Sequence, residues 1–272
     1  MAMVNTLWLA TLTKDQRDAG TDTQRLNLTV NIDGEDLVDT HFYFSDLGRG
    51  RAELSGGPHG LPSEPLTSPV ESTLLTNSSI RLGIRTDDAW APRDVLVLGS
   101  TERRIEALAM ETEVDRWLST DRGEGKLTMP IRLVSQGSSS TLIRRVLFLV
   151  FTSWQGGDPG TTDPIELQIA AGGNLVLVQE IHEPLRAATA NWFLIDAPIP
   201  FTRGNVLSNG GIQLQIQGSN AWLPKVLFLY GLDTAAGRPN EIVHLVSIPE
   251  WGLGPLSTEA QEGKASVPLP VV

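Results

Sequence analysis

At 272 residues, with 40% hydrophobic and 19% charged residues, the chain is long enough for two cores and too apolar for a disordered segment. Its formal net charge of −11 opposes nonspecific nucleic-acid binding and simple docking on anionic lipid. The complete lack of cysteine excludes disulfides, thiolate metal sites and cysteine catalysis. No apolar run approaches the ~18 residues of a membrane-spanning helix, and no basic segment followed by an apolar stretch marks a signal peptide. Composition carries no signal of compartment.

In chain order, the first apolar strand falls around Leu7-Trp8-Leu9. Arg25 to Ile32 alternates polar and apolar residues, the pattern of a half-buried strand, and Asp33-Gly34-Glu35-Asp36 reads as the turn after it. The long connection 46–70 has room for short helical turns. Ile80 to Arg85 alternates again, and Val95-Leu96-Val97 is a late strand. Ile105 to Glu113 has helix-forming composition, but its repeat partner Ile242 to Glu250 is β-branched and carries Pro249, so both are assigned as strands. Gln136 to Ser140 is a flexible composition, read as a linker. Leu147 to Phe151 is a buried strand by its continuous apolar run. Glu166 to Ile169 precedes a Gly172-Gly173 turn, and the connection 180–205 again has room for helical turns.

The chain repeats itself. Residues 118–134 return at 256–272 with 8 of 17 positions identical, where ordinary composition gives about one. Ala89-Trp90-Ala91-Pro92 and Gly99 match Ala221-Trp222-Leu223-Pro224 and Gly231 at the same spacing. Gly20-Thr21-Asp22 answers Gly160-Thr161-Thr162-Asp163. A period this long signals duplicated domains, not a short-repeat solenoid. The units are 1–135 and 141–272, joined by 136–140. Short strands, 26 glycines and 17 prolines give an all-β fold of two tandem antiparallel β-sandwiches. Trp90, Trp117, Trp222 and Trp251 recur in both halves and are assigned to the cores.

Three stretches carry a resemblance to the PLAT/LH2 (lipoxygenase-homology) family. Ala19-Gly20-Thr21-Asp22 before an alternating strand is similar to that family's first loop and second strand. Asp87-Asp88-Ala89-Trp90 through Val97 resembles its acidic loop, tryptophan and late strand. Asp115 to Lys126 resembles its closing tryptophan and Gly-x-Gly-Lys turn. The second half departs from the pattern at Gly252–Pro255, read as an insertion, and at Asn220, which stands where the first half has Asp88. The resemblance implies binding to a lipid surface or a protein partner, sometimes with calcium.

Asp18, Asp22, Asp87 and Asp88 lie in two loops that a sandwich would bring to one end, which makes them a candidate calcium site. Their alternative role is capping and turn formation. Asp158, Asp163 and Asn220 are the corresponding set of the second half, with one charge fewer. Trp154 sits in a loop with little to pack against, which suits contact with a partner or a lipid interface, or packing on the neighbouring domain.

Enzyme signatures are missing: there is no Gly-x-Ser-x-Gly elbow, and His182-Glu183-Pro184 lacks the second histidine of a zinc-protease helix. The sequence is therefore read as a non-enzymatic binding or adaptor protein. The alternatives are a structural subunit of a larger assembly and an accessory part of a hydrolase or lyase.

Overall fold

The computed structural model describes residues 3–21, 25–32, 35–44, 47–55, 65–71, 78–85, 88–100, 105–154, 159–233 and 241–272. The chain divides into two compact units, Met1–Ser135 and Gln136–Val272.

In the first unit, β1 (Met3–Thr13), β4 (Ala52–Ser55), β7 (Pro92–Ser100) and β8 (Ile105–Glu111) pair in the order β4-β1-β7-β8, and β5 (Pro65–Glu71) also pairs with β1. A second sheet has the order β3-β2-β6-β9, from β2 (Arg25–Ile32), β3 (Glu35–Tyr43), β6 (Ser79–Ile84) and β9 (Thr128–Ile131). All these pairings are antiparallel. The alternation read in the sequence is the physical basis of the layering. Leu26, Leu28 and Val30 of β2 face Ile80, Leu82 and Ile84 of β6, and all are buried. They pack in one core with Leu7, Leu9, Val95 and Val97 of the facing sheet. Asn27, Thr29 and Asn31 take the opposite face of β2, where Asn27 Nδ2 donates to Asp39 Oδ1 at 2.6 Å.

The second unit follows a related plan after the two-residue β10 (Ser135–Gln136). Strands β11 (Leu142–Thr152), β14 (Ala190–Thr202), β16 (Pro224–Asp233) and β17 (Glu241–Ile248) pair in the order β17-β16-β11-β14. The other sheet has the order β13-β12-β15-β18, from β12 (Ile165–Ala171), β13 (Asn174–Ile181), β15 (Gly211–Ile216) and β18 (Ser266–Leu269). Strand β11 is buried on both faces from Val146 to Phe151, as its unbroken apolar run requires. The helix-forming run Ile105–Glu111 is indeed a strand, paired with β7 and buried from Ile105 to Met110.

In the 46–70 connection the described residues include strands β4 and β5. Two sequence expectations are corrected. The 180–205 connection is mostly the 13-residue strand β14, and the helix, α1 (Arg203–Asn209), begins only at its end. Strand β4 pairs with β1 and β14 with β11, and those pairings supply hydrogen bonds that propensity scales do not see. Glu35 and Asp36, read as part of a turn, belong to β3.

The segment 136–140, read as a flexible linker, is tied to the second unit. Gly137 N donates to Ile242 O at 2.9 Å, and Gly204 N donates to Ser139 O at 2.8 Å. Thr141 Oγ1 bonds Ser138 N and Glu241 Oε2, each at 2.9 Å. A serine-rich composition is permissive of order when its backbone groups find partners.

Helix α1 is capped by Thr202, whose hydroxyl accepts from Asn205 N at 3.2 Å. Only Val206 of its residues is buried, so the cap is a large share of what holds it. Thr202→Ala is expected to lower the stability of the chain by about 1 kcal/mol. Urea denaturation of variant and parent measures this, with Thr202→Ser expected to retain most of the stability.

The repeat is a repeat of hydrogen bonds. Trp90 and Trp222 are both fully buried. The indole Nε1 of Trp90 donates to Thr13 Oγ1 at 3.0 Å, and that of Trp222 to Thr152 Oγ1 at 3.1 Å. Each tryptophan exchanges both backbone bonds with a leucine, Leu118 or Leu256, at 2.8 Å. Two residues later Pro92 and Pro224 open β7 and β16, each opposite the same threonine and each at a bulge. Proline is tolerated there because a first residue at a bulge has no ladder bond to give.

The matched bonds also correct the tryptophan pairing. Val114 N bonds Arg93 O, and Trp251 N bonds Lys225 O, both at 2.9 Å. Lys126 N bonds Trp117 O, and Lys264 N bonds Pro255 O. Trp251 is therefore the counterpart of Val114, and Trp117 is the counterpart of Pro255. Trp251 is buried, with Nε1 donating to Gly254 O at 2.7 Å, whereas Trp117 is only half-buried and belongs to no core. The apparent insertion at Gly252–Pro255 shrinks to one residue, since Val114 precedes Leu118 by four and Trp251 precedes Leu256 by five.

Candidate functional site

The first unit's candidate loops leave the sheet where β1 ends. Gly50 N donates to Lys14 O, Thr21 N to Leu47 O and Ala91 N to Ala19 O, so residues 14–21 are held against 47–51 and the strand-opening segment 88–91. Gly20 lies so close to the 48–49 backbone that a Cβ would sit 3.0 Å from Arg49 N. This close seating sets Thr21, whose hydroxyl donates to Asp88 Oδ2 at 2.8 Å. Two loops 67 residues apart are thus joined through a side chain of the candidate set.

Asp18 is held differently. Its backbone is left-handed (φ 58°), its side chain is 81% exposed, and it lies 3.4 Å from Arg17 Nε. An ion pair this exposed contributes little. Asp22 and Asp87 fall outside the described residues. Among the described residues, no group of three or more His, Cys, Asp or Glu side chains is placed to hold a metal ion. The Thr21–Asp88 bond fixes one carboxylate of the candidate set at the junction of the two loops.

In the second unit the equivalent positions form a hydrogen-bonded clamp. Thr161 Oγ1 donates to Asn220 O at 3.0 Å and accepts from Asp163 N at 3.0 Å. Asn220 N donates to Asp163 Oδ2 at 2.7 Å, and Asn220 Nδ2 reaches Thr162 Oγ1 at 3.5 Å. Asp163 here does what aspartate does in turns, accepting a backbone donor. Gly218 lies against its carboxylate, with no room for a Cβ. Matching Thr21 with Thr161 sets Thr162 opposite Asp22, so the doubled threonine removes one acid and Asn220 removes another. Asp158 falls outside the described residues.

Trp154 follows an anchored residue. Ser153 N donates to Leu223 O at 3.0 Å, and Ser153 O accepts from Ala188 N at 3.2 Å. Trp154 is 42% exposed and meets buried Phe151 edge-on, with ring centroids 6.1 Å apart. The ring therefore has an apolar seat on Phe151 while part of its surface stays exposed.

Two polar groupings went unnoticed in the sequence. Glu166 of β12 lies directly opposite Glu180 of β13, and Gln217 Nε2 lies 3.4 Å from Glu166 Oε2 and 2.9 Å from Glu180 Oε1. Gln168 Nε2 donates to Glu166 Oε1, and His182 Nε2 lies 3.3 Å from Glu180 Oε2. The amides relieve a like-charge pair that would otherwise cost stability. The alternation of β12 and β13 places Glu166, Gln168 and Glu180 on the outer face, but only the register brings the two glutamates opposite. Asp94 is fully buried, accepting from Glu113 N at 3.0 Å where Glu113 has a left-handed backbone (φ 54°). Its counterpart in the second unit is Val226, so this is a local brace of one unit.

The fold and its loops define a duplicated, all-β, sandwich-like protein. No helix among the described residues is long and apolar enough to cross a membrane. The chain matches no protein-family model and no curated protein sequence.

Proposed function

We propose that the chain is a non-enzymatic binding protein in which tandem PLAT-like domains engage a protein partner or a lipid surface, with calcium assisting at the Thr21–Asp88 end of the first. The observation that carries this reading is Trp154: an aromatic ring seated on Phe151 and 42% exposed, next to a backbone pinned at Ser153. Such a ring offers a large apolar contact at small conformational cost. The tryptophans of the repeated frame are buried, so Trp154 is not a duplicate of a core residue.

Flotation of the chain with phosphatidylcholine vesicles, with chelator or millimolar Ca2+, tests the lipid arm. Binding that Trp154→Ala abolishes supports it; a chain that stays at the bottom of the gradient in both conditions removes it. Calcium is tested separately by melting. A cation held by Asp22 and Asp88 stabilises the folded state by about 2.7 kcal/mol at a hundredfold excess over Kd. The melting temperature is expected to rise in Ca2+, and Asp22→Ala or Asp88→Ala to abolish the rise. An unchanged melting curve leaves these aspartates as loop-bracing residues.

A second reading, a structural subunit of an assembly, is favoured by a different observation. Leu175 and Val178 of β13, Ile199 of β14 and Leu207 of α1 are each about half exposed in the second unit. Exposed apolar residues in such numbers suit contacts between subunits. A mass by light scattering above that of one chain, lost in Val178→Lys, supports this reading.

A further inference from the structure

Ten asparagines occur in the chain, and Asn209 alone is followed by glycine. Asn209 is the last residue of α1, and both it and Gly210 are exposed. Asn5, Asn27, Asn31, Asn174 and Asn191 are held within strands, where paired backbone resists rearrangement. Gly210 abuts the backbone carbonyl of Ala170 so closely that no Cβ fits. Packing therefore demands glycine at the position where the lack of a side chain leaves the amide nitrogen unshielded. The Asn209 carbonyl is fixed by Gly173 N at 2.6 Å, and its Nδ2 lies over Gly173, where a Cβ would come within 3.1 Å.

We infer that Asn209–Gly210 is a site of spontaneous covalent modification, deamidation through a cyclic imide. The Gly210 amide nitrogen, having lost its proton to solvent base, attacks Asn209 Cγ. The new N–Cγ bond closes a five-membered ring, the Cγ–Nδ2 bond breaks, and Nδ2 takes up a proton and leaves as ammonia. Water then opens the ring. Addition at Cγ returns the normal main chain with aspartate at 209, and addition at the Asn209 carbonyl carbon gives isoaspartate. No electron is gained or lost, and water is the only co-reactant.

The placement gives the reaction a structural consequence. Isoaspartate inserts one methylene into the main chain immediately before β15. That strand lies between β12 and β18, with Gly211 opposite Ala170 and Ile212 opposite Leu269. The new carboxylate also stands at a helix C-terminus, where the carbonyl dipoles disfavour negative charge.

The full chain is incubated in mildly alkaline buffer at physiological temperature, then digested and analysed by peptide mass spectrometry. Isoaspartate is detected by enzymatic methylation. Asn209 is expected to convert at least about tenfold faster than any other asparagine, since glycine alone leaves the attacking nitrogen bare. Asn209→Gln should remove the isoaspartate signal. The isoaspartate-bearing fraction should melt below Asn209→Asp, which carries the charge without the methylene. A parallel incubation in urea gives the rate of the unrestrained chain. An Asn209 that converts in urea but stays intact in the folded protein, or that is outpaced by another asparagine, overturns the inference.

Discussion

Replacing Trp90 or Trp222 by alanine is expected to lower folding stability by about 3–5 kcal/mol. Each ring is fully buried, among the largest side chains so placed, and each belongs to its unit's apolar core. Truncation removes transfer energy and leaves a cavity, because the flanking backbone is pinned to Leu118 or Leu256 and cannot collapse. The indole bond can be tested apart from the volume. Thr13→Val or Thr152→Val leaves a buried Nε1–H without its acceptor and should cost about 1–3 kcal/mol. Urea denaturation read by circular dichroism measures all four variants. Trp154→Ala is the internal control and should stay within about 0.5 kcal/mol, as an exposed residue outside the frame. A loss below about 1 kcal/mol for both frame tryptophans would mean that the repeated Trp–Thr bond is not what the duplication conserves in stability.

Gly125→Ala and Gly263→Ala are the second pair, each expected to cost about 3 kcal/mol, the upper end of the overpacking range. A Cβ at Gly125 would lie 2.7 Å from the carbonyl oxygen of Trp117, and one at Gly263 closer still to that of Pro255. The obstacle is backbone, and it is held. Lys126 N and Lys264 N bond those same carbonyls, while Ser119 N and Ser257 N bond back to Lys126 O and Lys264 O. Gly125 N and Gly263 N also close the preceding turns on Asp121 O and Glu259 O at 3.1 Å. Relief of the clash must break a ladder bond. Gly252→Ala, with nothing within 4 Å of its Cβ, should change stability by no more than about 0.5 kcal/mol. Thermal melts of the three variants decide it: equal melting temperatures would show that the turn absorbs the methyl group.

The frame was legible because it is made of local patterns and repeated ones. Arg25–Ile32 alternates with period two, and the strand has those bounds. Val146–Phe151 is apolar at every position, and the strand is buried on both faces. The Trp-x-Pro spacing survives duplication because the indole, the threonine and the bulge-opening proline form one closed hydrogen-bonded unit. Residues 118–126 and 256–264 survive for the same reason. Ser119 and Ser257 cap the same turn, with Asp121 N and Glu259 N donating to their hydroxyls at 3.0 and 3.1 Å.

What the sequence determined by itself was the all-β class, the duplication and the strands whose burial follows from side-chain periodicity. The tertiary structure alone decided which residues are true counterparts. By residue type Trp117 matches Trp251, while the backbone bonds pair Trp251 with Val114 and Trp117 with Pro255. A hydrogen-bond ladder fixes position by backbone geometry, and side-chain identity can drift beneath it. The tertiary structure also decided the fate of the loop aspartates. Asp88 meets Thr21 and Asp163 meets Asn220 across 67 and 57 residues, contacts set by how sheets stack and by glycines that let loops approach. Nothing in local propensity encodes such meetings, because they arise from two segments seated on opposite strands of one core.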